Sequence, residues 1–264
     1  MNNNPIGVID SGVGGLTVAK EMMRQLPKET IYYVGDTKRC PYGSRSEDEV
    51  IEFTWGMVSF LLEKGIKMLV IACNTATAFA LDTIREKINI PVIGVVHPGA
   101  RSALKVTKNK KIGVIGTEGT INSKVYEHAL KSINSRVEIN SKACKPFVPL
   151  VESNCLDGEA AMSIVREQLS FFQQTSIDTL ILGCTHYPLL QPLIQRAIGE
   201  NVAIISSGDE TAREVSTILY HSELHTTEEH PEHKFFTTGS SDVFSAIANQ
   251  WFDTILDNII EISL

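Results

Sequence analysis

The chain reads as an α/β protein: two similar α/β domains with mainly parallel sheets, pseudo-symmetric around a central cleft. Three observations predict this. Short Val- and Ile-rich runs alternate with helical patterns along the chain, as in a parallel sheet wrapped by helices. Several of the runs are continuously apolar, as strands are when both sheet faces are covered. There is also an internal repeat. Ile6-Gly7-Val8-Ile9-Asp10 resembles Ile112-Gly113-Val114-Ile115-Gly116, and Leu69-Val70-Ile71-Ala72-Cys73-Asn74-Thr75 resembles Leu180-Ile181-Leu182-Gly183-Cys184-Thr185-His186. From 10 to 73 is 63 residues and from 116 to 184 is 68, so each half-repeat ends a core strand in a cysteine.

The elements follow in order. A strand over 5–10 runs into a glycine turn, and a helix over Leu16–Gln25 follows. A strand over 30–34 leads to a loop over 36–45. A helix then starts at Ser46, where Ser46 and Glu49 have capping-box spacing. Its apolar stripe is Val50, Phe53, Met57, Phe60 and Leu61, and Gly65 stops it. Next come a strand over 67–72, a helix over 76–87 and a strand over 91–95. The second half gives strands over 111–116, 136–139, 178–183 and 202–206, with helices over 120–133, 158–174 and 189–198. Pro149-Leu150-Val151 reads as a strand ending before Glu152. A helix over 210–221, a polar loop over 222–233, a strand over 234–238 and a helix over 243–258 complete the chain. The last strand and helix are expected to pack back on the first half. The domains are therefore 1–97 plus 208–264, and 98–207.

Composition narrows the function. The 264 residues are 43% hydrophobic and 21% charged, ordinary for a globular protein and enough to bury a core. No apolar run reaches the ~18 residues of a membrane span, and no secretory signal opens the chain. The expectation is a cytoplasmic protein without a membrane partner. The net charge is −7, the pI is about 5.5, and no basic run exceeds Lys110-Lys111. That pattern argues against a nucleic-acid partner. The cysteines at 40, 73, 144, 155 and 184 include no CxxC pair, which points to thiols in a reducing compartment.

Ligands of open α/β sheets bind beyond the carboxyl ends of the strands. Those ends carry Asp10-Ser11-Gly12-Val13-Gly14-Gly15, then Cys40-Pro41-Tyr42-Gly43, then Cys73-Asn74-Thr75. The second half places Thr117, Thr120, Glu152 and Cys184-Thr185-His186 there. The glycine loop is no dinucleotide fingerprint, because position 17 is Thr, and no Lys-Ser/Thr pair makes it a P-loop. It suits a small carboxylate held by helix N-terminal amides and Ser11, or equally a plain tight turn. Asp10 fits either a proton-transfer or ammonium-binding role or an N-cap. A lone cysteine after an apolar strand is ordinarily a small buried hydrophobe. Two at matching positions, each before a helix whose N-terminus favours negative charge, shift that reading towards a pair of bases. Inverting a stereocentre needs a base on one face and an acid on the other, with the roles exchanged in reverse. The carbanion then needs preorganised donors for its carboxylate: Ser11, Asn74, Thr75, Thr117 and Thr185. No lysine has a convincing Schiff-base setting for pyridoxal phosphate, so no cofactor is expected. No second tight Cys/His pair joins Cys184-x-His186, so no metal is expected either. His186 suits polarising the thiol, serving the substrate amine or a structural loop. Glu152 suits an assisting acid or an edge carboxylate, and Cys144 and Cys155 read as structural.

The strings GVIDSGVGGLTV, GDTKRCPYG, IACNTATA and LGCTHYPLL closely resemble the glutamate racemases of bacterial cell-wall synthesis, in order from about Ile6 to Ser207-Gly208. The resemblance implies two α/β domains around a cleft and a cofactor-independent interconversion of L- and D-glutamate, with D-glutamate entering peptidoglycan. It implies that Cys73 acts on D-glutamate and Cys184 on L-glutamate, assisted by Asp10, Glu152 and His186. Substrate contacts are implied for Asp10, Ser11, Pro41, Tyr42, Gly43, Cys73, Asn74, Thr75, Thr117, Thr120, Cys184, Thr185 and His186. A homodimer is the assembly it suggests. The remaining alternatives are a racemase of aspartate or another small dicarboxylate, and a binding protein that closes on an acidic amino acid without chemistry.

Overall fold

The computed structural model describes residues 1–251, 256 and 258–264. The chain forms two compact units, Met1–Val95 with Gly208–Leu264, and Val96–Ser207. The first begins with β1 (Ile6–Asp10), α1 (Leu16–Gln25), β2 (Ile31–Gly35), α2 (Glu47–Glu63), β3 (Met68–Ile71), α3 (Asn74–Lys87) and β4 (Val92–Gly94). The second comprises α4 (Val96–Val106), β5 (Lys111–Gly116), α5 (Glu118–Asn122), α6 (Val125–Ile133), β6 (Glu138–Ala143), α7 (Phe147–Glu152), α8 (Gly158–Leu169), β7 (Thr179–Gly183), α9 (Gln191–Ile198) and β8 (Ala203–Ser206). The chain returns to the first unit through α10 (Ser207–His221), β9 (Lys234–Thr237), α11 (Ser241–Trp251) and β10 (Ile259–Glu261).

The first unit is one parallel sheet in the order β10-β9-β2-β1-β3-β4. Side chains alternate across a strand, so Ile6 and Val8 of β1 face one layer and Ile9 the other. Ile6 and Val8 pack with Leu16 and Met22 of α1, Ala212 and Val215 of α10 and Phe244 of α11. Ile9 packs with Val50, Met57 and Leu61 of α2 and Ala80 and Ile84 of α3. Each such aliphatic side chain contributes about 1.5–3 kcal/mol when fully buried. The capping box opens α2 as its sequence predicts, with Ser46 accepting the Glu49 N–H and Glu49 accepting that of Ser46. Gly65, at φ +74°, takes the chain out of the helix in the left-handed region.

The second sheet runs β6-β5-β7-β8, all parallel. Its topology is that of β2-β1-β3-β4, and the register also agrees. Gly7 pairs with Leu69 and Ile9 with Ile71; Gly113 pairs with Leu180 and Ile115 with Leu182. The repeat seen in the sequence therefore matches a repeat in hydrogen-bonded pairing. It extends to packing: a Cβ on Gly7 would lie 2.8 Å from Ile66 Cδ1, and one on Gly113 would lie 2.6 Å from Ile177 Cδ1. Both glycines are needed because an isoleucine ahead of the neighbouring strand fills the space.

Several expectations are corrected. The helix expected over 120–133 is two, α5 and α6, because Lys124 turns left-handed at φ 56° between them. The one expected over 158–174 is α8 followed by a 3-10 turn over Ser170–Gln174. The one expected over 189–198 is a 3-10 turn, Tyr187–Leu190, running into α9. Pro149-Leu150-Val151 is no strand but part of α7, where proline in the first turn sacrifices no helical hydrogen bond. The strand expected over 136–139 is displaced to β6, Glu138–Ala143. Pro98 in the first turn of α4 hid that helix, and β10 was too short to recognise. The final helix is seen as α11; the part of the expected 243–258 segment at 252–255 and 257 lies outside the described residues. No helix among the described residues is long and apolar enough to cross a membrane.

Candidate active site

In the first unit the site is built where β1, β2 and β3 end. Asp10 closes β1 and is fully buried. Its Oδ1 accepts the Gly12 N–H at 3.0 Å, which bends the chain into the glycine loop. Cys73 follows β3 and serves as N-cap of α3, its Sγ accepting the Ala76 N–H at 3.4 Å. The same thiol donates towards Ser11 Oγ at 3.7 Å. Helix α3 starts at Asn74, two residues before the sequence suggested, because the thiol itself is the cap. Asn74 and Thr75 are thus its first two residues, both buried. The amide end of a fourteen-residue helix therefore sits at Cys73.

The loop after β2 is held by a carboxylate that sequence reasoning passed over. Asp36 is fully buried and accepts three donors: Arg39 Nε at 2.6 Å, the Tyr42 hydroxyl, and Thr238 Oγ1 at 2.7 Å. This fixes the turn that carries Pro41, Tyr42 and Gly43. Tyr42 is buried, Pro41 exposed and Gly43 half-buried. Burial, then the charge of Asp36, raises the Tyr42 hydroxyl far above the usual phenol range. The half-buried Cys40 lies beside the glycine loop: a Cβ on Gly12 would be 2.9 Å from its Sγ.

In the second unit Cys184 follows β7 and is buried. Its setting differs from that of Cys73. The turn Cys184–His186 passes into a 3-10 segment, and α9 starts only at Gln191. The expected helix N-terminus at this thiol is absent. Side chains stand in its place: Cys184 Sγ lies 3.8 Å from His186 Nδ1, and His186 Nε2 lies 3.4 Å from Glu152 Oε1. Glu152 ends α7 and is about a third exposed, whereas His186 is buried. Thr117 caps α5, accepting the Thr120 N–H at 3.4 Å, and the two hydroxyls are 3.1 Å apart. Thr120 and Thr185 are buried.

All expected residues of each unit thus gather at the carboxyl ends of its strands. In the first unit these are Asp10, Ser11, Pro41, Tyr42, Gly43, Cys73, Asn74 and Thr75. In the second they are Thr117, Thr120, Cys184, Thr185, His186 and, by way of α7, Glu152. Buried tyrosines flank both thiols. Burial, helped by neighbours that include Cys73, raises the Tyr33 hydroxyl well above its usual range. Tyr126 and Tyr187 are raised too, chiefly by burial and also by Cys184. The sequence assigns these tyrosines no role, although Tyr187 lies inside the string LGCTHYPLL. All five cysteines are thiols. Cys155 is exposed, so it does not have the packing role expected of it. Among the described residues no group of three His, Cys, Asp or Glu side chains is placed to hold a metal ion.

Two units of one topology, each with a buried cysteine at a strand end, share the fold of the amino-acid racemases, which are isomerases. The chain belongs to the Asp/Glu/hydantoin racemase family, whose model matches residues 6–215. It is 59% identical over 263 residues to a glutamate racemase of Bacillus cereus, covering 99% of this chain and 98% of that one. Among solved structures, a glutamate racemase isoform from Bacillus anthracis superposes with a TM-score of 0.97 at 50% identity, covering 100% of this chain and 99% of the other. The glutamate racemase of Francisella tularensis in complex with D-glutamate gives 0.94 at 34% identity, covering 100% and 98%.

Proposed function

We propose that this racemase interconverts L- and D-glutamate by a two-base mechanism without a cofactor. The observation that carries the reading is that Cys73 and Cys184 stand at equivalent ends of two strands, β3 and β7, that share topology and register. Cys73 takes the α-proton of D-glutamate and Cys184 returns one to the opposite face; the reverse direction exchanges the roles. The α3 amide end, Ser11 and Asp10 manage charge and proton at Cys73. His186, backed by Glu152, does so at Cys184. Hydroxyl and amide donors of Ser11, Asn74, Thr75, Thr117, Thr120 and Thr185, with the Pro41–Gly43 turn, hold the substrate and stabilise the carbanion's carboxylate. Glutamate as substrate is supported by the glutamate racemases that this chain resembles, one of them holding D-glutamate. The same reading makes the protein a cytoplasmic homodimer that supplies D-glutamate for peptidoglycan, with no metal, membrane or nucleic-acid partner.

The test is racemisation followed by circular dichroism, from each glutamate enantiomer in turn, without added cofactor and after a spectral check for bound pyridoxal phosphate. Activity in both directions with solvent deuterium entering Cα, and its loss in both Cys73→Ser and Cys184→Ser, is the expected result. Wild-type rates in both single variants would end the two-base reading. Turnover of aspartate alone would change the substrate. Light scattering checks the dimer.

A further inference from the structure

We infer that Tyr33 is a positioning residue for the Cys73 half of the reaction. Its hydroxyl is a clamp on the glycine loop that carries Asp10 and Ser11. The proposal rests on the reading of Cys73 as the base for D-glutamate.

Tyr33 lies on β2 and is fully buried. Its hydroxyl donates to the Gly12 carbonyl at 2.6 Å. The phenol oxygen thus bonds the loop at Gly12 and packs closely against it at Gly15. The fit has no slack. A Cβ on Gly15 would lie 2.8 Å from the Tyr33 oxygen and 2.4 Å from Asp10 Cβ, and one on Gly35 would lie 2.5 Å from the Gly12 carbonyl oxygen. Ser11, between Asp10 and Gly12, accepts from the Cys73 thiol at 3.7 Å. A shift of the loop therefore moves the acceptor of that thiol and the carboxylate of Asp10 together. The ring is held from behind by Phe235 of β9 and Phe244 of α11, with centroids 6.3 and 6.1 Å away. The segment that returns after the second unit thereby braces the clamp. Tyr33 touches none of the reacting atoms in the proposed chemistry; it acts through the loop.

The test compares wild type and Tyr33→Phe, which keeps the ring between the two phenylalanines. The melting temperature reports the fold, and hydrogen exchange of the Gly12 amide, which Asp10 Oδ1 accepts at 3.0 Å, reports the loop that Tyr33 holds. Rates are measured with α-protiated and α-deuterated D- and L-glutamate. A racemisation has an equilibrium constant of one, so kcat/KM must fall equally from both sides; about ten-fold is expected. The isotope effects separate the halves. When the Cys73 transfer becomes more rate-limiting, the deuterium effect on kcat/KM rises for D-glutamate and falls for L-glutamate. A general loosening moves both alike. The expected result is faster Gly12 exchange, unchanged exchange in α3 and that opposite shift of the two isotope effects. Wild-type rates, or isotope effects that move together, overturn the proposal. An unprotected Gly12 amide in the wild-type protein overturns it without any variant, should Tyr33→Phe not fold. Failure of the wild type to racemise glutamate refutes the functional reading instead, and is told apart because it precedes any comparison with the variant.

Discussion

Replacing Glu152 by glutamine keeps the shape of the side chain and removes its charge, so it isolates what the carboxylate does for His186. The separation of 3.4 Å sets the scale. Two unit charges at that distance attract by ~1 kcal/mol in water and by ~5 kcal/mol at an effective dielectric near ~20. His186 is buried, but Glu152 is 37% exposed, which draws the coupling towards the lower figure. About 1.4 kcal/mol corresponds to about ten-fold in rate. Only the step in which His186 carries positive charge feels this loss. Glu152→Gln should therefore lower kcat/KM about ten-fold from both enantiomers, and raise the deuterium isotope effect for L-glutamate, whose proton passes to Cys184 in the proposed mechanism. His186→Asn removes the ring beside the thiol itself and should cost about 10²–10⁴-fold, the range of a positioned acid–base group. The assay is initial-rate circular dichroism with α-protiated and α-deuterated substrates. A Glu152→Gln enzyme within two-fold of wild type would show that the ion pair does not serve the reaction. One as damaged as His186→Asn would show that Glu152 acts on the substrate rather than through the imidazole.

Two further outcomes test the scaffold. Lys67 and Glu29 form a buried ion pair at 2.6 Å, with side-chain exposures of 0% and 6%; Lys67 also donates to the Asn2 carbonyl, and Glu29 accepts the Thr226 N–H. Lys67→Met should cost about 3–5 kcal/mol in denaturant unfolding by stranding the carboxylate, and adding Glu29→Leu should recover most of it; an additive double variant refutes the pairing. Burial pushes the Cys144 thiol from 9.0 up to about 12, so the unfolded chain ionises it first. Its contribution to stability is complete below about pH 9 and is lost as pH rises from there towards about 12; the melting temperature of Cys144→Ala should fall less steeply over that window, and parallel slopes would contradict the assignment.

The two sheets were legible because strands buried on both faces are apolar at every position, and a repeated apolar string carries its register with it. The pairing of Gly7 with Leu69 and of Gly113 with Leu180 is foreshadowed in the aligned strings themselves. The helix breaks were not. Nothing in Ser123-Lys124 announces a left-handed residue, since neither glycine nor proline marks it, and the helical pattern continues across the break. Proline misled twice in the opposite sense: Pro98 and Pro149 sit in the first turns of α4 and α7, where the missing N–H has no partner to lose. Glu152 was placed near the site but on the wrong element, and its contact with His186 depends on α7 folding as a helix.

The sequence by itself determined the α/β class, the half-repeat and the positions of Cys73 and Cys184, because these follow from periodicity and from strings that local backbone geometry must respect. It also marked nearly every polar residue at the strand ends. What only the tertiary structure decided is how each thiol is served. Cys73 caps a long helix, whereas Cys184 leans on a histidine and a carboxylate brought in by α7. Asp36 gathers Arg39, Tyr42 and, from 202 residues further along the chain, Thr238. Tyr33 reaches across 21 residues to hold Gly12. Such contacts are set by distances between elements far apart in the chain, and a linear pattern holds the local preferences of those elements but not the space between them.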